Sequence, residues 1–392
     1  MRTPICDFAE AYAAQKPVRL HMPGHKGRGL LEERDITEIG GADVIYPARG
    51  IIRESEEAAA ALFGSGRTFY ATEGASLCIR AMLFLARLYA AETKRAPVIL
   101  AGRNAHRSFW TAAALTDMEV DSLPGESLLT CRPEAAEVAR ALDSRGEKPA
   151  AVYLTSPDYL GYRADVKAIA EVCHAREIPL LVDNAHGAYL KFVAGAVHPL
   201  EAGADLVCDS AHKTLPVLTG GAYLHVSRLA PALFGQQGER ALEMFASTSP
   251  SWLILQSLDR CNEMLANDLP RKLEAAARET ERLKERLTTA GYRMACSGAA
   301  RDRSDPLKLT LFPKAYGYTG TELLEVLRSN AIEGEFADPD SLVGMIAPGN
   351  GKDGLLRLEK VLLALPRRQP VFGGPPEPPT PVRRIPLRAA ML

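Results

Sequence analysis

Short apolar runs recur through the first 230 positions, and most of them end in a polar cluster. They are Arg67–Thr72 (R-T-F-Y-A-T), Pro97–Ala101 (P-V-I-L-A), Ala151–Ser156 (A-V-Y-L-T-S), Pro179–Val182 (P-L-L-V), Leu206–Asp209 (L-V-C-D) and Gly221–Val226 (G-A-Y-L-H-V). They are apolar throughout rather than alternating, the pattern of strands buried on both faces of a mostly parallel sheet. Helical patterns separate them. Residues 50–64 form an amphipathic helix that Gly64 stops, a second helix runs from Glu73-Gly74-Ala75-Ser76 to about Ala91, and a third spans Asp165 to Arg176. Right-handed crossovers in such β-α-β units carry most strand ends to one edge of the sheet.

The pattern then changes. Residues 247–261 open a long helical region that Pro270 breaks, and Arg271–Ala290 continue as an amphipathic helix stopped by Gly291. Strands at 292–296, 307–312 and 342–346 alternate with helices at 321–329 and 351–365. The expected organisation is an N-terminal arm and loop (1–40), a large domain (41–265), a small α/β domain (266–366) and a proline-rich tail (367–392). Within the arm, residues 1–20 are expected to be helical. The tail from Pro366 carries eight prolines in 27 residues and is expected to lack regular structure.

Composition narrows the class. The 392 residues are 47% hydrophobic and 24% charged, ordinary for a globular protein, and a net charge of −1 offers no electrostatic footprint for nucleic acid. Seven scattered cysteines without a C-x-x-C read as reduced thiols. No apolar stretch has the length of a signal peptide or a membrane span, so a soluble cytoplasmic protein is expected.

Chemistry concentrates at two strand ends. One run finishes in Asp183-Asn184-Ala185-His186-Gly187, the other in Asp209-Ser210-Ala211-His212-Lys213. A lysine amine and a carboxylate at neighbouring strand ends suit pyridoxal 5′-phosphate (PLP), whose aldehyde takes the amine and whose pyridinium nitrogen takes the carboxylate. Glu73-Gly74-Ala75-Ser76 is either an anion site at a helix start or an ordinary cap. His106, just past a strand end, is either a structural residue or a ring that stacks on a flat cofactor. The basic loop Leu20–Gly29 is either a solvated surface or a contact loop of an active site or dimer.

Seven stretches, in order, resemble the PLP-dependent ornithine/lysine/arginine decarboxylases, a branch of the fold type I (aspartate-aminotransferase-like) superfamily. The shorter Gram-positive-type members are the most similar. The stretches are P-G-H-K-G (23–27), D-I-T-E-I (35–39), R-N-A-H-R-S (103–108), T-S-P-D-Y-L-G (155–161), L-L-V-D-N-A-H-G-A (180–188), D-S-A-H-K-T-L-P (209–216) and T-S-P-S-W (248–252). The resemblance implies a mostly parallel seven-stranded sheet with helices on both faces, plus a small α/β domain. It implies PLP as cofactor, a basic amino acid (arginine, lysine or ornithine) as substrate, a polyamine-type amine as product, and a homodimer or higher homo-oligomer.

Carried over by position, Lys213 resembles the Schiff-base lysine, Asp183 the partner of the pyridine nitrogen, and His106 the stacking imidazole. Ala75 and Ser76 resemble the phosphate cradle, with Ser210 and His212 on the phosphate side. Ala185 and His186 would line the other side of the ring. Thr248 or Ser249 would reach a neighbouring subunit's phosphate. Lys213 or His212 would return a proton to the substrate carbon. Two positions depart from the family pattern: Glu73-Gly74-Ala75-Ser76 stands where the turn usually reads N-G-(S/T)-(S/T), and Asn184 stands where glutamate is common. The resemblance covers roughly residues 18–365 and the chain stops at Leu392, so a short member without the family's C-terminal domain is expected. Glu73, Asp158 and Asp43 are the acidic candidates for the substrate's distal cation. The competing readings are an aminotransferase or β-eliminating lyase on the same scaffold, a metal hydrolase using Asp183, His186, His212 and His106, and a truncated, non-catalytic PLP-binding homologue.

Overall fold

A computed structural model of the chain describes residues 1–20, 22–23, 25–26, 33–123, 130–296, 303–374 and 385–391. Of the basic loop, Met22, Pro23, His25 and Lys26 are among them, and the other positions of 21–29 lie outside the described residues.

The strands β1 (Arg67–Ala71), β2 (Ala96–Gly102), β3 (Glu119–Leu123), β4 (Pro149–Thr155), β5 (Leu180–Asp183), β6 (Leu206–Asp209) and β7 (Ala222–Val226) form one sheet, ordered β1-β7-β6-β5-β4-β2-β3. From β3 to β6 every neighbouring pair is parallel, and β7 alone is reversed, pairing antiparallel with both β6 and β1. Six of these strands match the apolar runs. The seventh, β3, carries E-V-D-S-L and gave no such signal. It lies at the sheet edge, half-buried, so its sequence need not be apolar throughout.

The reason for the continuous apolar runs is visible in the packing. Tyr153, Leu181, Leu206 and Cys208 enter one core, while the alternate positions Val152, Leu154, Leu180, Val182 and Val207 enter the other. The helices sort accordingly. Facing the first core are α1 (Pro4–Ala14), α2 (Ile51–Phe63), α3 (Ala75–Glu92), α4 (Arg107–Leu115), α8 (Ala232–Glu243) and α9 (Trp252–Ala266). Facing the second are α5 (Ala135–Asp143) and α6 (Val166–His174). A further short helix, α7 (Ala211–Thr214), follows β6 directly.

The long helical region divides into α9 and α10 (Leu269–Thr289). Pro270 stands in the first turn of α10 rather than at a break inside a helix, a position where its missing N–H costs no intrahelical bond. Beyond α10, strands β8 (Arg293–Met294), β9 (Lys308–Phe312), β10 (Phe336–Ala337) and β11 (Leu342–Met345) form an antiparallel sheet ordered β10-β11-β9-β8. Leu283 and Leu287 of α10 share a core with Leu309 and Leu311 of β9. Leu323 of α11 (Gly320–Ser329) and Leu362 of α12 (Gly351–Leu363) complete it.

Two end segments correct the sequence-based expectation. The N-terminal helix is shorter than residues 1–20, spanning Pro4–Ala14. Among its described residues, the proline-rich tail contains one regular element, α13 (Leu387–Met391), after the last proline. Arg388 of α13 donates to the Ala114 carbonyl at 3.1 Å, so that turn is held against α4.

Candidate active site

The C-terminal ends of β1, β2, β4, β5 and β6, with the segment entering the reversed β7, surround one cavity of about 360 Å³. The ends of parallel strands are where ligands gather in such sheets.

After β1 the chain turns sharply into α3. Gly74 has φ 74°, and its N–H donates to the Gly220 carbonyl at 2.7 Å. Gly220 has φ 102°, and a Cβ there would lie 2.6 Å from the Thr72 carbonyl oxygen. Neither position accepts a side chain without strain. No side chain caps the start of α3. Its first N–H groups have no intrahelical acceptor, and the positive end of the helix dipole opens on the cavity. Ala75 and Ser76 line the cavity at this point. Glu73 lines it too, but the Ser247 N–H donates to Glu73 Oε1 at 2.6 Å and holds the carboxylate. Ser76 Oγ is 2.7 Å from Ser108 Oγ, which is 3.0 Å from His106 Nδ1. The cradle and the imidazole are therefore tied through Ser108, which also donates its N–H to His106 Nδ1 at 3.2 Å. Partial burial lowers the His106 pKa, with Lys213 and Arg107 adding to the effect and Asp183 opposing it.

Asp183, the last residue of β5, forms the floor and is 2% exposed. Tyr153 OH donates to its Oδ2 at 3.2 Å and the Ala185 N–H to its Oδ1 at 3.1 Å. Burial pushes this carboxyl up, against the pull of the Ala185 N–H, Lys213, His106 and Tyr153. The site thus holds a buried acid whose ionised form lacks a contacting cation.

Beneath it lies a second buried acid with different company. Asp209 accepts from Asn184 Nδ2 at 2.6 Å, His198 Nε2 at 3.0 Å and His225 Nε2 at 3.2 Å. Burial pushes Asp209 up, but the two imidazoles outweigh it and hold the carboxyl below the ordinary range. A depressed carboxyl contributes stability in full above its unfolded pKa of about 3.9 and loses it as pH falls toward the folded value. Asp209→Ala leaves three buried donors without an acceptor. It is expected to cost about 3–5 kcal/mol at neutral pH, read as a lower denaturant midpoint at unchanged slope.

Lys213 stands on α7, the short helix after β6. Its Nζ is 3.2 Å from His186 Nε2, and the other ring nitrogen of His186 is 2.7 Å from Lys308 Nζ. Burial, then Lys308 and Lys213, push His186 well below the usual imidazole range. His212 is lowered as well, by burial and by Lys213.

Of the positions expected from sequence, Lys213, Asp183, His106, Ala75, Ser76, Ser210, His212, His186 and Ala185 all line this cavity. Thr248 does not; it is exposed, so its expected phosphate contact would have to be made in another copy's site. Two of the three acidic candidates are occupied elsewhere. Asp43 accepts from the N–H groups of Arg49, Gly50 and Ile52 at the start of α2. Asp158 accepts from Leu160 and Tyr162 in the turn after β4, and burial raises it to about 6. Only Glu73 of the three reaches the cavity. Among the described residues, no group of three or more His, Cys, Asp or Glu side chains is placed to hold a metal ion. None of the seven cysteines is in a disulfide, all are buried, and no described helix is long and apolar enough to cross a membrane.

Sequence reasoning missed Asn104, Thr155, Tyr153, Ser108 and Lys308. Asn104, Ser108 and Thr155 stood inside quoted motifs without a role. Lys308 had a usable signal: it is the one charged residue in L-K-L-T-L-F, and a cation on a buried strand demands a partner.

The cavity fits PLP. A helix start with free N–H groups suits a phosphate, a buried carboxylate suits a ring cation, and an amine stands beside them. Asn104 Nδ2 and Thr155 Oγ1 are buried in the lining with no hydrogen-bond partner among the described residues, which suits a polar ligand.

Residues 3–297 match the family described as "Orn/Lys/Arg decarboxylase, major domain". The chain is 31% identical over 378 residues to the uncharacterized protein YaaO of Bacillus subtilis, covering 90% of this chain and 75% of that one. It is 30% identical to an arginine decarboxylase of Halalkalibacterium halodurans, covering 93% of this chain and 77% of that one. The constitutive lysine decarboxylase of E. coli superposes with a TM-score of 0.74 at 16% identity over 92% of this chain. That likeness is one of fold, and the chain spans 60% of that protein's length. The chain belongs to the Orn/Lys/Arg decarboxylase family, whose members are PLP-dependent decarboxylases of fold type I.

Proposed function

We propose that this chain decarboxylates a basic amino acid, using PLP held at Lys213, to give carbon dioxide and the corresponding polyamine-type amine. The observation that carries the reading is the placement of Asp183, Lys213 and the open start of α3 around one cavity. When bound, PLP supplies an electron sink for the pair left behind by carbon dioxide.

The chain's own residues would do the rest. Ala75 and Ser76 hold the phosphate with backbone N–H groups and a hydroxyl. Asp183 keeps the ring nitrogen protonated, because a carboxylate beside a cation in a poorly solvated site favours the charged pair. His106, braced by Ser108, covers one face of the ring. Lys213 would hold PLP through its amine, and with His212 it lines the same cavity, where either group could return a proton to the substrate carbon. Arginine heads the candidate substrates because the Halalkalibacterium relative carries that activity in its name. Glu73 is the acid placed to meet a cationic substrate at this cavity. We place the site at a homodimer interface, with the exposed Thr248 serving the partner's cofactor.

The test incubates the purified chain with PLP and an equimolar mixture of arginine, lysine and ornithine, and identifies the amines by mass spectrometry. Agmatine, cadaverine or putrescine formed without any added 2-oxo acid supports the reading and names the substrate. Amine-nitrogen loss that requires a 2-oxo acid would make the chain an aminotransferase instead.

A further inference from the structure

His186 stands between two lysines from different sheets. Its Nε2 is 3.2 Å from the Nζ of Lys213, which follows β6, and its Nδ1 is 2.7 Å from the Nζ of Lys308, which opens β9. His186 is 5% exposed and Lys308 is 4% exposed, so bulk water does not substitute for these contacts.

Each nitrogen–nitrogen contact needs one proton and one lone pair. A neutral imidazole offers one of each, on opposite sides. One lysine must then donate, as an ammonium or as an amine, and the other must accept as a free amine. The titratable groups facing His186 are Lys308, Lys213, His106 and Tyr159, whose ring stands edge-on to the imidazole with centroids 5.3 Å apart; burial, and then Lys308, push the ring toward its neutral form.

The two lengths decide the direction. A contact of 2.7 Å is that of a charge-assisted bond, and 3.2 Å that of a neutral one. Burial pulls Lys308 down, but the acidic neighbours Asp305, Glu335 and Asp158 pull it back. The Tyr159 ring centroid lies 5.6 Å from Lys308 Nζ, within cation–π range. Lys213 Nζ has no hydrogen-bond partner besides His186 among the described residues.

We propose that Lys308 is a positioning residue: its ammonium fixes His186 as the Nε2–H tautomer, and that N–H donates to Lys213 and keeps its amine unprotonated. A free amine is the form that captures an aldehyde. The small sheet thus supplies the group that readies the lysine of the large sheet. The consequence for aldehyde capture rests on the reading of Lys213 as the cofactor lysine. The tautomer does not.

Nitrogen NMR of the histidine-labelled, cofactor-free full chain at neutral pH tests the tautomer without any substitution at position 308, with His186→Gln assigning the signal. A protonated Nε2 and a bare Nδ1 are expected. A protonated Nδ1, or an imidazolium, overturns the proposal. The second measurement is the rate of PLP capture against pH, followed by absorbance. The wild-type rate is expected to rise with pH to a midpoint. Lys308→Met should raise that midpoint by about one pH unit, which is roughly tenfold slower capture at fixed pH. Lys308→Arg, which keeps a cationic donor, should restore most of the rate. Equal midpoints in wild type and a folded Lys308→Met overturn the proposal. A wild type that captures no PLP instead sinks the cofactor reading, while the NMR result still decides the tautomer.

Discussion

Lys213→Ala is expected to reduce amine formation by about 10³-fold or more while leaving the protein folded. Two functions disappear with one side chain: the amine that holds the cofactor, and a group placed to return the proton. General acid–base catalysis alone accounts for about 10²–10⁴. The structural cost is small because Lys213 is only partly buried and its side chain hydrogen-bonds to His186 alone among the described residues. His186 keeps its contact to Lys308 in the variant. The unfolding midpoint should therefore stay close to wild type. A variant that retains a tenth of the wild-type rate removes Lys213 from the chemistry.

Asp183→Asn is expected to separate stability from catalysis, with opposite signs. The carboxyl is buried and its pKa is pushed up, so burial disfavours its charged form in the cofactor-free protein. A raised folded pKa means the folded state takes up its proton first as pH falls, so cofactor-free stability rises as pH falls from the folded value toward the unfolded value of about 3.9. Asparagine keeps an acceptor for the Ala185 N–H, its amide N–H can donate to the Tyr153 hydroxyl, and the charge is removed. The cofactor-free variant should unfold at the same denaturant midpoint or a higher one. Turnover should fall by about 10³-fold, because a contacting ion pair is worth about 4 kcal/mol at an effective dielectric of 20. Near-normal turnover would remove Asp183 from its assigned role. A clear loss of cofactor-free stability would make it a structural residue.

Much of this was legible in the sequence, for a physical reason. A parallel sheet covered on both sides must be built from continuous apolar runs, so β4, β5 and β6 announced themselves, and the polar residues that end them marked the cavity edge. The strand β3 was hidden because an edge strand half-open to solvent can carry Glu119, Asp121 and Ser122. Lys308 was hidden because its partner, His186, is 122 positions earlier and belongs to the other sheet. The roles of Asp43 and Asp158 could not be separated from that of Glu73 by residue type. Only the placement of backbone N–H groups shows that the first two hold turns. Glu73, which looked misplaced beside a phosphate turn, has its carboxylate held by the Ser247 N–H, 174 positions away.

The central claim is that the cavity holds PLP through Lys213. Borohydride reduction of the PLP-loaded chain, followed by proteolysis and mass spectrometry of the peptides, tests it directly. One pyridoxyl adduct is expected, on Lys213. An adduct on Lys308 instead, or no adduct on any lysine of the cavity, would contradict it.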